Sequence, residues 1–128
     1  KYGDIGYSYV EVDLSNQHVY LIIDGKLVED SPCVTGCVKK GHGTPDGLYS
    51  ITYKESPSVL RGEDYETKVN FWMPFNRGIG LHDATWRDKF GGDIYYSSGS
   101  HGCVNLPYQK AAVIYENIYA GMPVICYY

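Results

Sequence analysis

The chain has 128 residues, 44% of them apolar and 20% charged, which is the composition of one globular domain with a real core rather than of a disordered chain. A net charge of −4 excludes the broad basic face of a nucleic-acid binder, and no apolar run approaches the ~20 residues that a membrane helix needs. Tyr occurs 14 times against 2 Trp and 3 Phe, an excess that favours half-buried strands and a polar-edged groove. Because the chain opens on Lys1 rather than Met, it is expected to be a processed or excised piece of a longer protein.

From Tyr7 to Val28 the pattern is that of strands joined by tight turns. YSYVEVDL is followed by the turn residues SNQ, the returning strand HVYLII and the turn DGK, which leads into LVEDSPCVTGCV. KKGHGT is expected to be a solvated turn. It opens into a loop carrying Thr44-Pro45 and Asp46-Gly47, and a strand follows through LYSITYK. ESPSVLRGEDYET reads as a longer polar connection, and VNFWMPF and GIGLHD as short apolar segments separated by Asn76-Arg77-Gly78. One convincing helix follows, with Pro107 at its first position, apolar residues at helical spacing from Ala111 to Tyr119, and Gly121 as a left-handed cap. MPVICYY closes the chain as a strand, and no repeat or linker divides residues 1–128 into more than one domain.

The four cysteines are Cys33, Cys37, Cys103 and Cys126, and none forms a CxxC pair. On a straight strand Cys33 and Cys37 would lie ~13 Å apart, beyond the ~7 Å limit for a disulfide, so they pair only if Gly36 breaks the strand. With Cys103 reserved for chemistry, at least one of the other three stays free.

Cys103 sits in SGSHGCVNLP, two residues after His101, with His82 upstream in GLHDATW. A thiol of ordinary pKa ~8.5 needs a base or a positive surrounding to act as a nucleophile. Gly102 lets the backbone turn tightly, so the amides around Gly102 and Cys103 could point at one oxyanion, with Ser100 supporting the turn. A zinc site built from His82, His101, Cys103 and His42 is a rival, although His-Gly-Cys is tighter than the usual ligand spacing. Ser100 is a weaker nucleophile candidate, because no Gly-x-Ser-x-Gly elbow surrounds it.

HDATW followed by SHGCVN resembles the signature of the bacterial L,D-transpeptidases, the YkuD-type catalytic domains that remodel peptidoglycan. YVEVDLSNQHVYLIIDGKLV, GTPDGLYSI and FWMPF are similar to that family's opening hairpin, its Thr-Pro-x-Gly turn and the segment before its first histidine. The resemblance implies a mainly β, mixed β-sandwich fold with one principal helix after the cysteine loop. It implies Cys103 as nucleophile, His82 as general base, and the Asp83 carbonyl, with its side chain as a second candidate, as the group orienting His82. Ser100, His101 and Gly102 would frame the substrate carbonyl, Asn105 would hold the loop, and Trp72 and Met73 would wall the groove.

The implied reaction starts with attack of Cys103 on the third, L-centred residue of a tetrapeptide stem. D-Ala is released, and the amine of an acceptor stem resolves the thioester into a 3→3 cross-link. The same thioester would serve a carboxypeptidase or an endopeptidase, and a non-catalytic wall-binding module is the alternative of another class. Carbapenems are expected to acylate Cys103, no metal or organic cofactor is implied, and the expected location is the bacterial cell wall or the outer face of the cytoplasmic membrane, with any signal or anchor outside this chain.

Overall fold

The computed structural model describes residues 7–62 and 65–128. Two tight turns build the first three strands as an antiparallel meander: β1 (Tyr9–Asp13), β2 (His18–Ile23) and β3 (Lys26–Pro32). The chain crosses to β4 (Gly47–Ser50) and then to β5 (Ser58–Arg61) and β6 (Glu66–Val69). β7 (Trp72–Asn76) and β8 (Ile79–Asp83) follow. After the one-turn helix α1 (Ile94–Ser98) come β9 (Val104–Leu106), α2 (Tyr108–Asn117) and β10 (Pro123–Tyr127).

Five strands form one sheet in the order β3-β2-β1-β10-β4, with β1 and β10 parallel. β7-β8-β9 form a second sheet in which β8 and β9 are parallel, and β5-β6 stand apart as a hairpin. The alternation of β1 and β2 sends Val10, Val12, Val19 and Leu21 into the same core as Met73, Leu81, Val104 and Leu106 of the second sheet. From α2, Ala111 and Ile114 seal that core. The architecture is therefore the mainly β one expected, with one principal helix after the cysteine loop.

Five local expectations need correction. ESPSVLRGEDYET is not a plain connection: its two ends pair as β5 and β6, while Glu63 and Asp64 lie outside the described residues. A second, five-residue helix, α1, precedes the cysteine loop. α2 begins one residue after Pro107, which occupies the cap position, and stops at Asn117, with Ile118 already extended. Gly121, at φ +94°, shapes the following turn into β10 rather than the helix end. The strand expected through LYSITYK ends at Ser50, after which Thr52 and Glu55 hydrogen-bond to Pro74 and Trp72 and lead the chain to the second sheet.

Cys33, Cys37, Cys103 and Cys126 are all free thiols, so Gly36 does not serve a Cys33–Cys37 bridge. Gly36 instead permits a close crossing of two segments, since a Cβ there would fall on the His42 carbonyl oxygen.

Gln17 fastens the β1–β2 turn to the segment leading toward Cys37. Its fully buried amide donates to the Leu14 carbonyl (2.7 Å) and to Thr35 Oγ1 (2.8 Å), and its Oε1 accepts from the Thr35 N–H (2.9 Å). Gln17→Ala leaves the Thr35 amide buried without that acceptor, a loss of about 1–3 kcal/mol. A urea midpoint lowered accordingly, at unchanged m-value, is the expected result.

Candidate active site

β8 and β9 set the site. Their parallel register pairs Leu81 with Val104 and His82 with Asn105. Strand alternation then gives Leu81 and Val104 to the core, while His82, Asn105 and, two residues before it, Cys103 line one cleft. The cleft has a volume of about 260 Å³ and is also lined by Leu60, Tyr65, Thr67, Trp86, Arg87, Gly99, Ser100 and His101.

His82 is buried, with the rings of Trp72 and Trp86 each 6.0 Å from its own. This desolvation outweighs the attraction of Asp83 and holds the imidazole below its usual pKa of 6.5. His82 Nδ1 lies 2.8 Å from the Asp83 carbonyl oxygen, a bond the ring makes only by donating. In the neutral ring the lone pair therefore sits on Nε2. The Asp83 carboxylate does not share this task. It accepts from the Asn70 amide (2.9 Å), Asn70 Nδ2 (2.7 Å) and the Phe71 amide (2.9 Å), bracing the entry to β7.

Cys103 is half-buried, its Sγ 3.4 Å from the Gly78 carbonyl. Burial pushes the thiol up to about 11, so Cys103 rests protonated at neutral pH. The preceding loop is held by bonds to its own backbone and to the strand segment across from it. Ser100 Oγ donates to the Cys103 carbonyl (2.6 Å) and accepts from the Gly102 amide (3.1 Å). The Ser100 amide donates to Thr35, the Cys37 amide to Ser100, and Thr44 Oγ1 to the Gly102 carbonyl at 2.6 Å. Gly102 has φ +135°, where an L side chain is strained.

The sequence-predicted residues divide accordingly. His82, Ser100, His101, Cys103 and Asn105 meet at the cleft. The Gly102 amide, expected to face an oxyanion, is taken by Ser100 Oγ. The Cys103 amide, by contrast, has no protein acceptor among the described residues. Ser100 is correspondingly a structural hydroxyl engaged on both sides. His101 is exposed at the cleft rim, stacked on Tyr65 (4.9 Å, 26°) and beside His42 (5.1 Å). Met73 is fully buried in the core and is not among the cleft residues, and Trp72 backs His82 while its Nε1 donates to Tyr53. Among the described residues no three His, Cys, Asp or Glu side chains cluster as metal ligands would.

The sequence reading missed the hairpin residues Leu60, Tyr65 and Thr67, and also Trp86 and Arg87. The alternation of Tyr65, Thr67 and Val69 with Glu66 and Lys68 was the available signal for the hairpin, and SVLR before Gly62 does not alternate. Trp86 closes the HDATW motif but was not assigned to the site, and it and Arg87 reach the cleft through the loop after β8.

Comparison with known proteins agrees with this geometry. No curated protein sequence matches the chain. Among solved structures, the crystal structure of a Cys-to-Ser mutant of Enterococcus faecium L,D-transpeptidase is 36% identical, with a TM-score of 0.89 over 94% of this chain and 50% of that one. This chain thus spans about half the length of that relative. The NMR structure of the E. faecium catalytic domain is 36% identical with a TM-score of 0.85, covering 94% of this chain and 96% of that one. The same domain acylated by ertapenem is 37% identical with a TM-score of 0.85, covering 95% and 98%. A family profile, the L,D-transpeptidase catalytic domain (YkuD), matches residues 7–126, and the chain belongs to that family.

Proposed function

We propose that this domain performs cysteine-dependent acyl transfer on peptidoglycan stem peptides, outside the cytoplasmic membrane. The supporting observation is the shared cleft of Cys103 and a His82 whose Nδ1 is fixed on the Asp83 carbonyl, leaving Nε2 free to take a proton.

In the first half-reaction His82 Nε2 removes the Cys103 proton as Sγ attacks the carbonyl of the third, L-centred residue of a tetrapeptide donor. The Cys103 N–H donates to the developing oxyanion. As the C–N bond breaks, His82 returns the proton to the departing D-Ala amine, and a thioester remains. In the second, the side-chain amine of an acceptor stem attacks the thioester, a 3→3 amide forms, and Cys103 recovers its thiol. Asn105 Oδ1, buried without a partner at the cleft, is an open acceptor for an N–H of the donor peptide. The ertapenem adduct of the related domain supports carbapenems as covalent inhibitors at Cys103.

Mass spectrometry of protein incubated with disaccharide-tetrapeptide tests the reaction. Dimers lacking one D-Ala are expected. Tripeptide alone would mean that water resolves the thioester and the domain is a carboxypeptidase, and binding without either product would leave a wall-binding module.

Two further outcomes follow from the site. Cys103→Ala should lower acylation by about 10³-fold or more and abolish the mass adduct with ertapenem, while stem-peptide binding persists.

The pH profile has two limbs with the same cause. Burial lowers His82 and raises Cys103, so acylation should fall on acidification with a midpoint below pH 6.5. Iodoacetamide labelling of Cys103 should still be climbing at pH 9, toward about 11. A labelling plateau near neutral pH would instead mean a resting thiolate–imidazolium pair.

A further inference from the structure

The acidic balance of the chain, 15 Asp and Glu against 11 Lys and Arg, makes the charge of the cleft informative. Among its described lining residues Arg87 is the one permanent cation, and none of these carries a carboxylate. Arg87 Nη1 donates to the Ser98 carbonyl at 3.0 Å, which fixes the guanidinium against the end of α1. Its Nε is buried and has no acceptor. Among the described residues the ion pairs are His18–Asp30, Arg61–Glu66 and Lys110–Glu29, and none of them involves Arg87.

A half-buried guanidinium with an unused donor loses hydration without recovering it from the protein. Burial accordingly pulls its pKa down, and its positive charge acts in turn against protonation of His82. Arg87 lines the cleft, and a planar, charged fork of donors is matched best by a carboxylate. Asn105 presents the opposite polarity, an oxygen without a donor, in the same cleft. The cleft thus offers an open acceptor and a separate open cation.

We infer that Arg87 is a specificity residue that binds a free carboxylate of the substrate close to the carbonyl attacked by Cys103. The inference rests on the acyl-transfer reading above. On a stem peptide two groups have this chemistry: the terminal carboxylate of the leaving residue, and the side-chain carboxylate of a diaminopimelate third residue. Arg87 therefore favours either donors with a free C-terminus or stems whose third residue is acidic.

The test follows release of the C-terminal residue from three synthetic tetrapeptide stems: one with both carboxylates free, one with a C-terminal amide, and one with the side-chain carboxyl amidated. Each is given to the wild-type protein, to Arg87→Gln and to Arg87→Lys. One amidation should lower wild-type kcat/KM by roughly 10- to 100-fold, and should leave Arg87→Gln, already slow on the free stem, unchanged. Arg87→Lys should keep part of the discrimination, and the amide that matters identifies which carboxylate is bound.

A merely structural Arg87 would slow all three stems by one factor, so equal losses in wild type and Arg87→Gln overturn the inference. Indifference of the wild-type protein to both amides overturns it without any variant, which covers a Gln substitution that fails to fold. If the wild-type protein releases nothing from any stem, the acyl-transfer reading falls and this inference falls with it.

Discussion

The parallel pairing of β8 with β9 is the constraint on which the site depends. His82 is the penultimate residue of one strand and Cys103 precedes the other, so the register His82↔Asn105 fixes where imidazole and thiol stand along the sheet. Side chains alternate with period two, so a slip of one residue would send His82 into the core and Leu81 into the cleft. Core packing opposes that slip, because Leu81, Val104 and Leu106 are all fully buried. On its other side β9 is held by reciprocal bonds between Val34 and Asn105, at 3.0 and 2.8 Å. The stability of the hydrophobic core and the geometry of the polar cleft are therefore consequences of the same alignment.

The same burial that aligns these groups also keeps them neutral. Trp72 and Trp86 desolvate His82, and the half-buried setting of Cys103 raises its thiol, so neither the imidazolium nor the thiolate is favoured at rest. Charge separation then belongs to the moment when a carbonyl is present to receive it. The backbone is arranged for that moment, with the Asp83 carbonyl orienting His82 and the Cys103 amide left without a protein acceptor. The Asp83 carboxylate contributes at one remove. It anchors the start of β7, the strand that pairs with β8 and places Trp72 behind His82.

Much of this was legible in the sequence because the chemistry is local. SHGCVN carries the thiol, the positive-φ glycine and the looping serine within six residues, and the patterns of β1 and β2 announce strands directly, whereas β8 reads only as a short apolar segment. The assignments that failed depend on tertiary partners. Met73 and Trp72 are adjacent apolar residues with the same local appearance, and only the packing of β7 decides that one enters the core and the other backs His82. That Ser100 Oγ takes the Gly102 amide, at 3.1 Å, is set by the path of the loop and not by residue types. The β5–β6 hairpin was obscured because both strands are short and largely polar, with little apolar surface to reveal their period.

That hairpin brings a physical division to the cleft. Its floor comes from strands whose register is locked by the core, whereas part of its rim comes from a two-strand element whose Tyr65 stacks on the exposed His101. Two-strand hairpins derive little stability of their own and take their position from what they pack against. Groups on the floor are accordingly fixed before a ligand arrives, which suits proton transfer and oxyanion stabilisation. Groups at the rim and in the loop after β8, such as Tyr65 and Arg87, lie outside that locked register, where the inference above places ligand selection. On the proposed function, bond-making belongs to the floor and selection to the rim, so selectivity would change through rim residues without disturbing the alignment of His82 and Cys103.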